Sequence, residues 1–283
     1  MNASAYIHIS LIDLLIALLF VGVTALVSYW QGLGLERDIA VGTVRTFVQL
    51  LTVGFVLQRL FDASRWYWVV AALAAMTTVA GYNAIKRQSG AKQGLFAVMT
   101  AAIAAGGGIT LMLVIGVVLR VRPWYQPQYV IPIAGMIIGN SMTGAALVVN
   151  RFHSELTLRR SEVEASLALG ATSREAAAGA LRESLRAAMM PTINSMMTVG
   201  LVQLPGMMTG QIISGVSPLD AVRYQVVVML MIAAATAVTA MTAAFGALGV
   251  FFTPAQQLSP RLELGRHWDA YVRAGRSQSH SAH

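Results

Sequence analysis

The stretch LFAVMTAAIAAGGGITLMLVIGVVL, Leu95–Leu119, runs for twenty-five positions without a charged residue. An α-helix rises 1.5 Å per residue, so about 20 mostly apolar residues cross the roughly 30 Å hydrocarbon core of a bilayer. This run is long enough. Working outward from it, the same length rule predicts spanning helices over roughly 9–30, 39–60, 66–85, 95–120, 130–150, 190–213 and 221–252. The chain of 283 residues is 56% hydrophobic and 11% charged, with mean hydropathy +0.64. Soluble domains carry about 25% charged residues, so this chain lacks the material for a wetted surface. Seven apolar runs of bilayer-spanning length cannot all be buried in one water-soluble globule. The expected fold is an all-α membrane protein, a polytopic bundle of about seven transmembrane helices. Residues 1–252 form the transmembrane domain, and 253–283 a basic, partly disordered tail.

Several chemistries fall away at once. The chain has no cysteine, which removes disulfides, thiolate metal sites and cysteine nucleophiles. No G-x4-G-K-[ST] phosphate loop occurs; Gly90-Ala-Lys-Gln-Gly94 has the wrong spacing. No Ser-His pair, paired intramembrane carboxylates or His-Glu cluster suggests an enzyme. The net charge of +8 reads as lipid-facing loop charge and not as nucleic-acid binding. Met1–Ser10 carry no Lys or Arg, and Asp13 interrupts the first apolar run, so a secretory signal is not expected. Fourteen Lys and Arg fall on one side of the predicted helices and five on the other, with Arg45 inside the second. By the positive-inside rule the N-terminus faces outward and the C-terminus the cytoplasm.

The polar segment 151–188 carries the clearest functional signal. Its six Arg are nearly balanced by Glu155, Glu162, Glu164, Glu175 and Glu183. Val163 and Leu167, then Leu181 and Leu185, recur at helical spacing. Between the two helical parts lies Leu169-Gly170-Ala171-Thr172. Gly170 can end the first helix in a left-handed conformation, and Thr172 with Glu175 forms a capping-box pattern that can start the second. A helix–Gly–helix element projecting from the membrane can dock in a groove on a soluble partner and transmit its movement. It can equally cover the bundle's own face.

Glu164-Ala-Ser-Leu-Ala-Leu-Gly170 is similar to the EAA-x3-G loop by which many ABC permeases contact their ATPase, although the Pro expected soon after the Gly comes only at Pro191. Four further motifs occur in order: Arg45-Thr-Phe-Val-Gln49-Leu-Leu, Ile131-Pro-Ile-Ala-Gly-Met-Ile-Ile-Gly-Asn140, Leu169-Gly-Ala-Thr172 and Leu204-Pro-Gly-Met-Met-Thr-Gly210. Together they resemble the FetB family of bacterial iron-export permeases, to which plant aluminium-tolerance half-transporters are also similar. The resemblance implies a seven-helix permease of the bacterial inner membrane and a homodimer working with two ATPase subunits. ATP and Mg would then be bound by those subunits and no cofactor by this chain. The implied cargo is iron, with variation across the family. Glu164, Leu169, Gly170, Ala171 and Thr172 would carry the ATPase contact. An ion-coupled carrier or channel, with Asp13 titrating or pairing, is the alternative.

Polar residues inside the apolar runs point to the cargo route. An isolated charge at a helix centre costs about 2.5–3.5 kcal/mol on insertion scales, so Asp13 and Arg45 must face protein or water. Gln49 lies one turn after Arg45 on the same face. Arg45 and Gln49 either line the route or form a structural clamp between helices. Pro205-Gly206 is expected to break the sixth helix, and broken helices commonly form transporter binding sites. Asn140, Met142, Asn194, Met207, Met208 and Gln211 are the cavity candidates. The competing reading is packing, with Gly135-x3-Gly139 and Gly206-x3-Gly210 as close-approach motifs and Met as filler. Soft thioethers suit bare iron poorly, and no His pair has metal-site spacing. A hydrated or chelated metal, or an organic cargo, fits better.

Overall fold

The computed structural model describes residues 11–63, 65–86 and 94–259. The first ten residues and most of the basic tail, with the signal-peptide and disorder readings that concern them, lie outside these. The described residues are almost entirely helical: α1 (Leu11–Trp30), α2 (Glu36–Ala63), α3 (Trp66–Lys86), α4 (Leu95–Leu113), α5 (Pro127–Leu158), α6 (Arg160–Ala168), α7 (Ser173–Ala176), α8 (Ala178–Thr198), α9 (Gly206–Ile213) and α10 (Pro218–Phe251). A π-helical turn, Val114–Val118, prolongs α4. Six of the helices (α1 to α5 and α10, α4 with its π turn) are long and apolar enough to cross a membrane.

The helix starts follow local chemistry. Pro127 and Pro218 occupy first-turn positions, where a missing N–H costs nothing. Ser217 caps α10 by accepting from the Asp220 N–H at 3.2 Å. Two boundaries differ from the sequence expectation. Helix α5 runs on to Leu158, eight residues past the predicted end near 150. The predicted helix 190–213 is not one helix but two, α8 and α9, joined by an irregular stretch at 199–205. Gly200 takes φ +82°, Val199 pairs with Gln203, and Pro205 caps α9. Proline supplies no backbone donor, so the ladder of α8 cannot continue through it. The predicted sixth crossing falls on this broken pair, and neither half is among the six helices long and apolar enough to cross a membrane.

Helices α4, α5 and α10 form the centre, flanked by α3 and α8. Glycine sets the closest approaches. A Cβ on Gly106 of α4 would overlap Thr239 of α10, and one on Gly144 of α5 would sit 2.8 Å from the Thr236 methyl. The glycines predicted for this role are not the ones used. Gly139, Gly206 and Gly210 have open space where a Cβ would be, and Gly135 meets only the end of Met76 at 3.6 Å. The small-x3-small pattern marks helices able to pack closely, whereas rotation about the helix axis decides which glycine meets a neighbour.

Helices α1 and α2 pack on each other, and α2 touches α5 only lightly. No residue of α2 is buried. Buried Ser28 holds their junction, its hydroxyl donating to Glu36 at 2.9 Å and accepting from the Leu35 N–H at 3.1 Å.

Candidate functional site

A chamber of 380 Å³ lies between α5, α8 and α10, and the irregular stretch and the start of α9 contribute to its lining. Each long helix contributes one face. Met136, Asn140, Thr143 and Leu147 recur every three or four residues on α5; Ala188, Thr192, Ser195 and Val199 do so along α8 and its end; Gln225, Met229, Ile232 and Thr236 do so on α10. Gln203, Pro205, Gly206 and Met207 complete the wall. Amides, hydroxyls, thioethers and aliphatic side chains line the space, and among the described residues no charged side chain does.

The polar side chains of this lining are amides and hydroxyls, groups that carry both donors and acceptors. Asn140 Nδ2 donates to the Met136 carbonyl at 2.8 Å, and the Thr143 hydroxyl donates to the Gly139 carbonyl at 3.2 Å. The amide oxygen of Asn140 and the lone pairs of Thr143 remain to accept. Gln225 Oε1 and Thr236 Oγ1 are buried without a hydrogen-bond partner. Pro191, inside α8 and on the chamber wall, withholds a donor from the carbonyl one turn back. The first N–H groups of α9 have no intrahelical acceptor, and no side chain caps them. Among the described residues no cluster of His, Cys, Asp or Glu could hold a metal ion.

The sequence candidates divide. Asn140 and Met207 line the chamber together. Met208 faces a second, mostly apolar groove of 260 Å³, shared with Met196, Met229 and Gln225. Met142 packs against the main core. Asn194 is exposed, and its carbonyl accepts from Thr198 at 3.0 Å. Gln211 has a buried Oε1 without a partner but lies on neither cavity wall. Arg45 and Gln49 are exposed on α2, away from both cavities. The sequence reading missed Gln225, Met229 and Thr236. Their signal was present as a polar and thioether stripe at helical spacing within an otherwise apolar run.

The second site is the α6–α7 element. Helix α6 ends in a Schellman motif: Gly170, at φ +92°, donates to the Leu167 carbonyl at 3.0 Å, and Ala171 donates to the Ser166 carbonyl at 3.1 Å. The predicted capping box is fully formed. The Thr172 N–H donates to Glu175 at 2.9 Å, and the Glu175 N–H donates to the Thr172 hydroxyl at 3.3 Å. The Thr172 N–H, and after it the Thr172 hydroxyl donating at 2.8 Å, hold the Glu175 carboxyl below its usual range. The resulting tip presents Leu169 at 89% exposure. Glu164, one and a half turns earlier, is paired with Arg160 at 2.7 Å.

The element is fixed on its inner side. Val163, Ala177 and Leu181 are buried in the main core, so its apolar face covers the bundle. Buried Glu155 at the end of α5 is clamped by Arg151 at 2.7 Å and Arg159 at 3.1 Å. Arg159 is both the last cap of α5 and the first of α6. Beyond α10 the chain hooks back, with Ser259 donating to the Phe251 carbonyl at 2.8 Å. Ala255–Leu258 face Glu164, Leu167 and Ala168 across a 450 Å³ cleft. Arg174 lies 5.0 Å above the Phe245 ring of α10.

Known proteins are similar along most of this length. The chain is 40% identical to the UPF0014 membrane protein STAR2 of Oryza sativa subsp. japonica, over 84% of this chain and 82% of that one. It is 39% identical to Protein ALUMINUM SENSITIVE 3 of Arabidopsis thaliana, over 86% and 87%. It is 36% identical to the Probable iron export permease protein FetB of Escherichia coli, over 87% and 93%. No solved structure matches. The profile of the family described as "Uncharacterised protein family (UPF0014)" covers residues 11–252, from the first described helix to the end of the last, and the chain belongs to that family of membrane proteins.

Proposed function

We propose that this chain is the membrane-spanning subunit of an ABC-type exporter, moving iron or a metal-related small solute out of the cytoplasm. One observation carries this reading: the exposed Leu169–Thr172 tip is built into the same two helical lines that wall the chamber. Helix α5 runs from Asn140 to the Glu155 clamp and continues into α6, and α8 returns from α7 to Thr192 and Ser195. A push on the tip moves both chamber walls at once. The name borne by the Escherichia coli relative supports an iron-linked cargo.

In this scheme ATP and Mg bind a separate ATPase subunit, since the sequence has no phosphate loop. The subunit docks on Glu164, Leu169, Gly170, Ala171 and Thr172. The permease is a homodimer in the bacterial inner membrane, with its N-terminus outside and its C-terminus in the cytoplasm. A second copy, together with lipid, covers α1 and α2, including Arg45 and Gln49. Residues 1–252 form the permease domain and 253–283 the cytoplasmic tail, whose start is the hook against α6.

The test is reconstitution with the neighbouring ATPase. Gly170→Pro with Glu164→Lys is expected to uncouple hydrolysis from efflux while the protein still inserts. Unchanged ATPase co-purification and unchanged efflux reject the assignment. The burial of Val163 and Leu181 against the bundle favours one alternative, an ion-coupled carrier whose α6–α7 element serves only itself. Solute movement by the isolated chain without nucleotide establishes that alternative.

A further inference from the structure

We propose that the polar stripe of α2 centred on Arg45 and Gln49 lines a water-filled path that selects anionic solutes, facing the same stripe of a second copy of this chain. The inference rests on the homodimer reading above and adds the charge of the cargo.

Asp38, Arg45, Gln49, Thr52 and Arg59 follow one another at intervals of seven, four, three and seven residues, so they share one side of α2. All five are exposed. The half-buried Ile39, Thr43 and Leu57 lie about 100° round the helix, on a different side. Between Asp38 and Arg59 run twenty residues, enough to cross the hydrocarbon core. Arg45 is the only charge among them, roughly 10 Å in from Asp38. Among the described residues no hydrogen bond or ion pair engages the side chain of Arg45 or Gln49. A guanidinium held in lipid at that depth is costly, although a long arginine alone can reach back to the nearer lipid phosphates. Gln49 lies a turn deeper and has no such reach. Water therefore meets this side of α2.

The charge of the solute follows from what a second copy can offer. Helices α1 and α2 form a hairpin closed by the bond from Ser28 to Glu36. Asp13 lies roughly 22 Å along α1 from that bond and Arg45 roughly 13 Å along α2, so the two differ in depth. Every other carboxylate lies at a helix end, in segment 151–188 or in the tail. No acid of a second copy thus stands level with Arg45. A two-fold axis along the membrane normal sets two Arg45 side chains at one depth instead. Two guanidiniums beside one aqueous path repel cations and hold oxyanions through their forked N–H donors. The Gln49 amide adds a donor one turn on. Carboxylates and phosphate esters share this chemistry, and a metal would pass here as an anionic chelate.

The chain has no cysteine, so a single introduced thiol reports its own surroundings. Gln49→Cys, in the full chain in phosphatidylcholine nanodiscs without nucleotide or ATPase, is labelled with an anionic sulfonatoethyl or a cationic trimethylammonioethyl methanethiosulfonate. Each rate is normalised to that reagent's rate with a free thiol in solution. The sulfonate is expected to be favoured about tenfold, the effect of one positive charge a few ångströms away. The preference should vanish with Arg45→Gln and persist with Arg45→Lys, and Leu51→Cys, off the stripe, should react with neither reagent. Millimolar citrate or inorganic phosphate should slow sulfonate labelling at position 49, whereas choline chloride of equal ionic strength should not. That arm leaves Arg45 in place and carries the test if Arg45→Gln fails to fold. Labelling by neither reagent, as for an arginine serving lipid phosphate alone, overturns the proposal. So does labelling at position 51 as fast as at 49, a preference that survives Arg45→Gln, or no protection by either anion. A bis-methanethiosulfonate joining two copies through position 49 reads the homodimer separately. Its failure with the anion preference intact overturns the facing copy and the homodimer reading, whereas loss of the preference overturns the anion path alone.

Discussion

Ser173 donates both its backbone N–H and its hydroxyl to the side-chain oxygen of Gln256, each at 2.6 Å, joining the first turn of α7 to the hook beyond α10 across 83 positions of sequence. The α6–α7 tip is thereby tied to a third chamber helix as well as to α5 and α8. Gln256 adopts φ +56° to make the contact, a conformation few non-glycine residues take.

Gln256→Ala removes both bonds at an exposed site, where each contributes about 0.5–1.5 kcal/mol. Amide exchange across 171–176 is expected to quicken about tenfold, with the helices of the bundle unaffected. Mass-detected hydrogen exchange of the full chain in nanodiscs measures this. Equal protection in the variant and the parent would show that the latch holds nothing.

The capping box predicts a pH dependence. The Glu175 carboxyl is lowered from its ordinary value of 4.5 in the folded chain, so its stabilisation of the turn is present above that value. It is lost as pH falls through the lowered folded value. Protection of the 173–177 amides should therefore be constant from neutrality to about pH 5 and decline below. Glu175→Gln should show the weakened turn at neutral pH and no such decline.

Two glycine substitutions separate packing from pattern. Gly106→Ala forces a methyl onto Thr239, including its backbone nitrogen, and is expected to destabilise by about 1–3 kcal/mol. Gly210→Ala meets open space and should stay within about 0.5 kcal/mol of the parent. Thermal unfolding in detergent ranks them. Similar midpoints for the two would mean that α4 and α10 do not approach as described.

Met207 and Met208 are neighbours in sequence but face different spaces. Met207→Ala enlarges the chamber and should change efflux rate or selectivity in the reconstituted transporter. Met208→Ala opens only the outer groove and should leave cargo selectivity unaltered. Identical effects of both would remove the distinction between the two cavities.

The most legible parts of the site were the most local. Thr172 and Glu175 stand three residues apart, and Gly170 needs only its own φ, so the turn could be read without knowing what surrounds it. Pro205 announced the break between α8 and α9 for the same reason. Asn140 and Met207 were found because polar and thioether residues near a helix break stand out. Gln225 and Thr236 were passed over, although their spacing on α10 matches the stripe facing α5 and α8. Gln256 gave no signal at all, because its partner is remote in the chain.

By itself the sequence determined that this is a membrane protein of long apolar helices with one bent polar element between them. Hydrophobic length and capping are properties of contiguous residues, fixed by the bilayer's thickness and the backbone's own hydrogen bonds. Only the tertiary structure decided that Gly106 and Gly144, not Gly135 or Gly206, set the helix contacts. It alone brought Gln225 and Thr236 to one chamber with Asn140, and tied Ser173 to Gln256. Those outcomes depend on how each helix is rotated against its neighbours, which interdigitating side chains settle together and no single segment encodes.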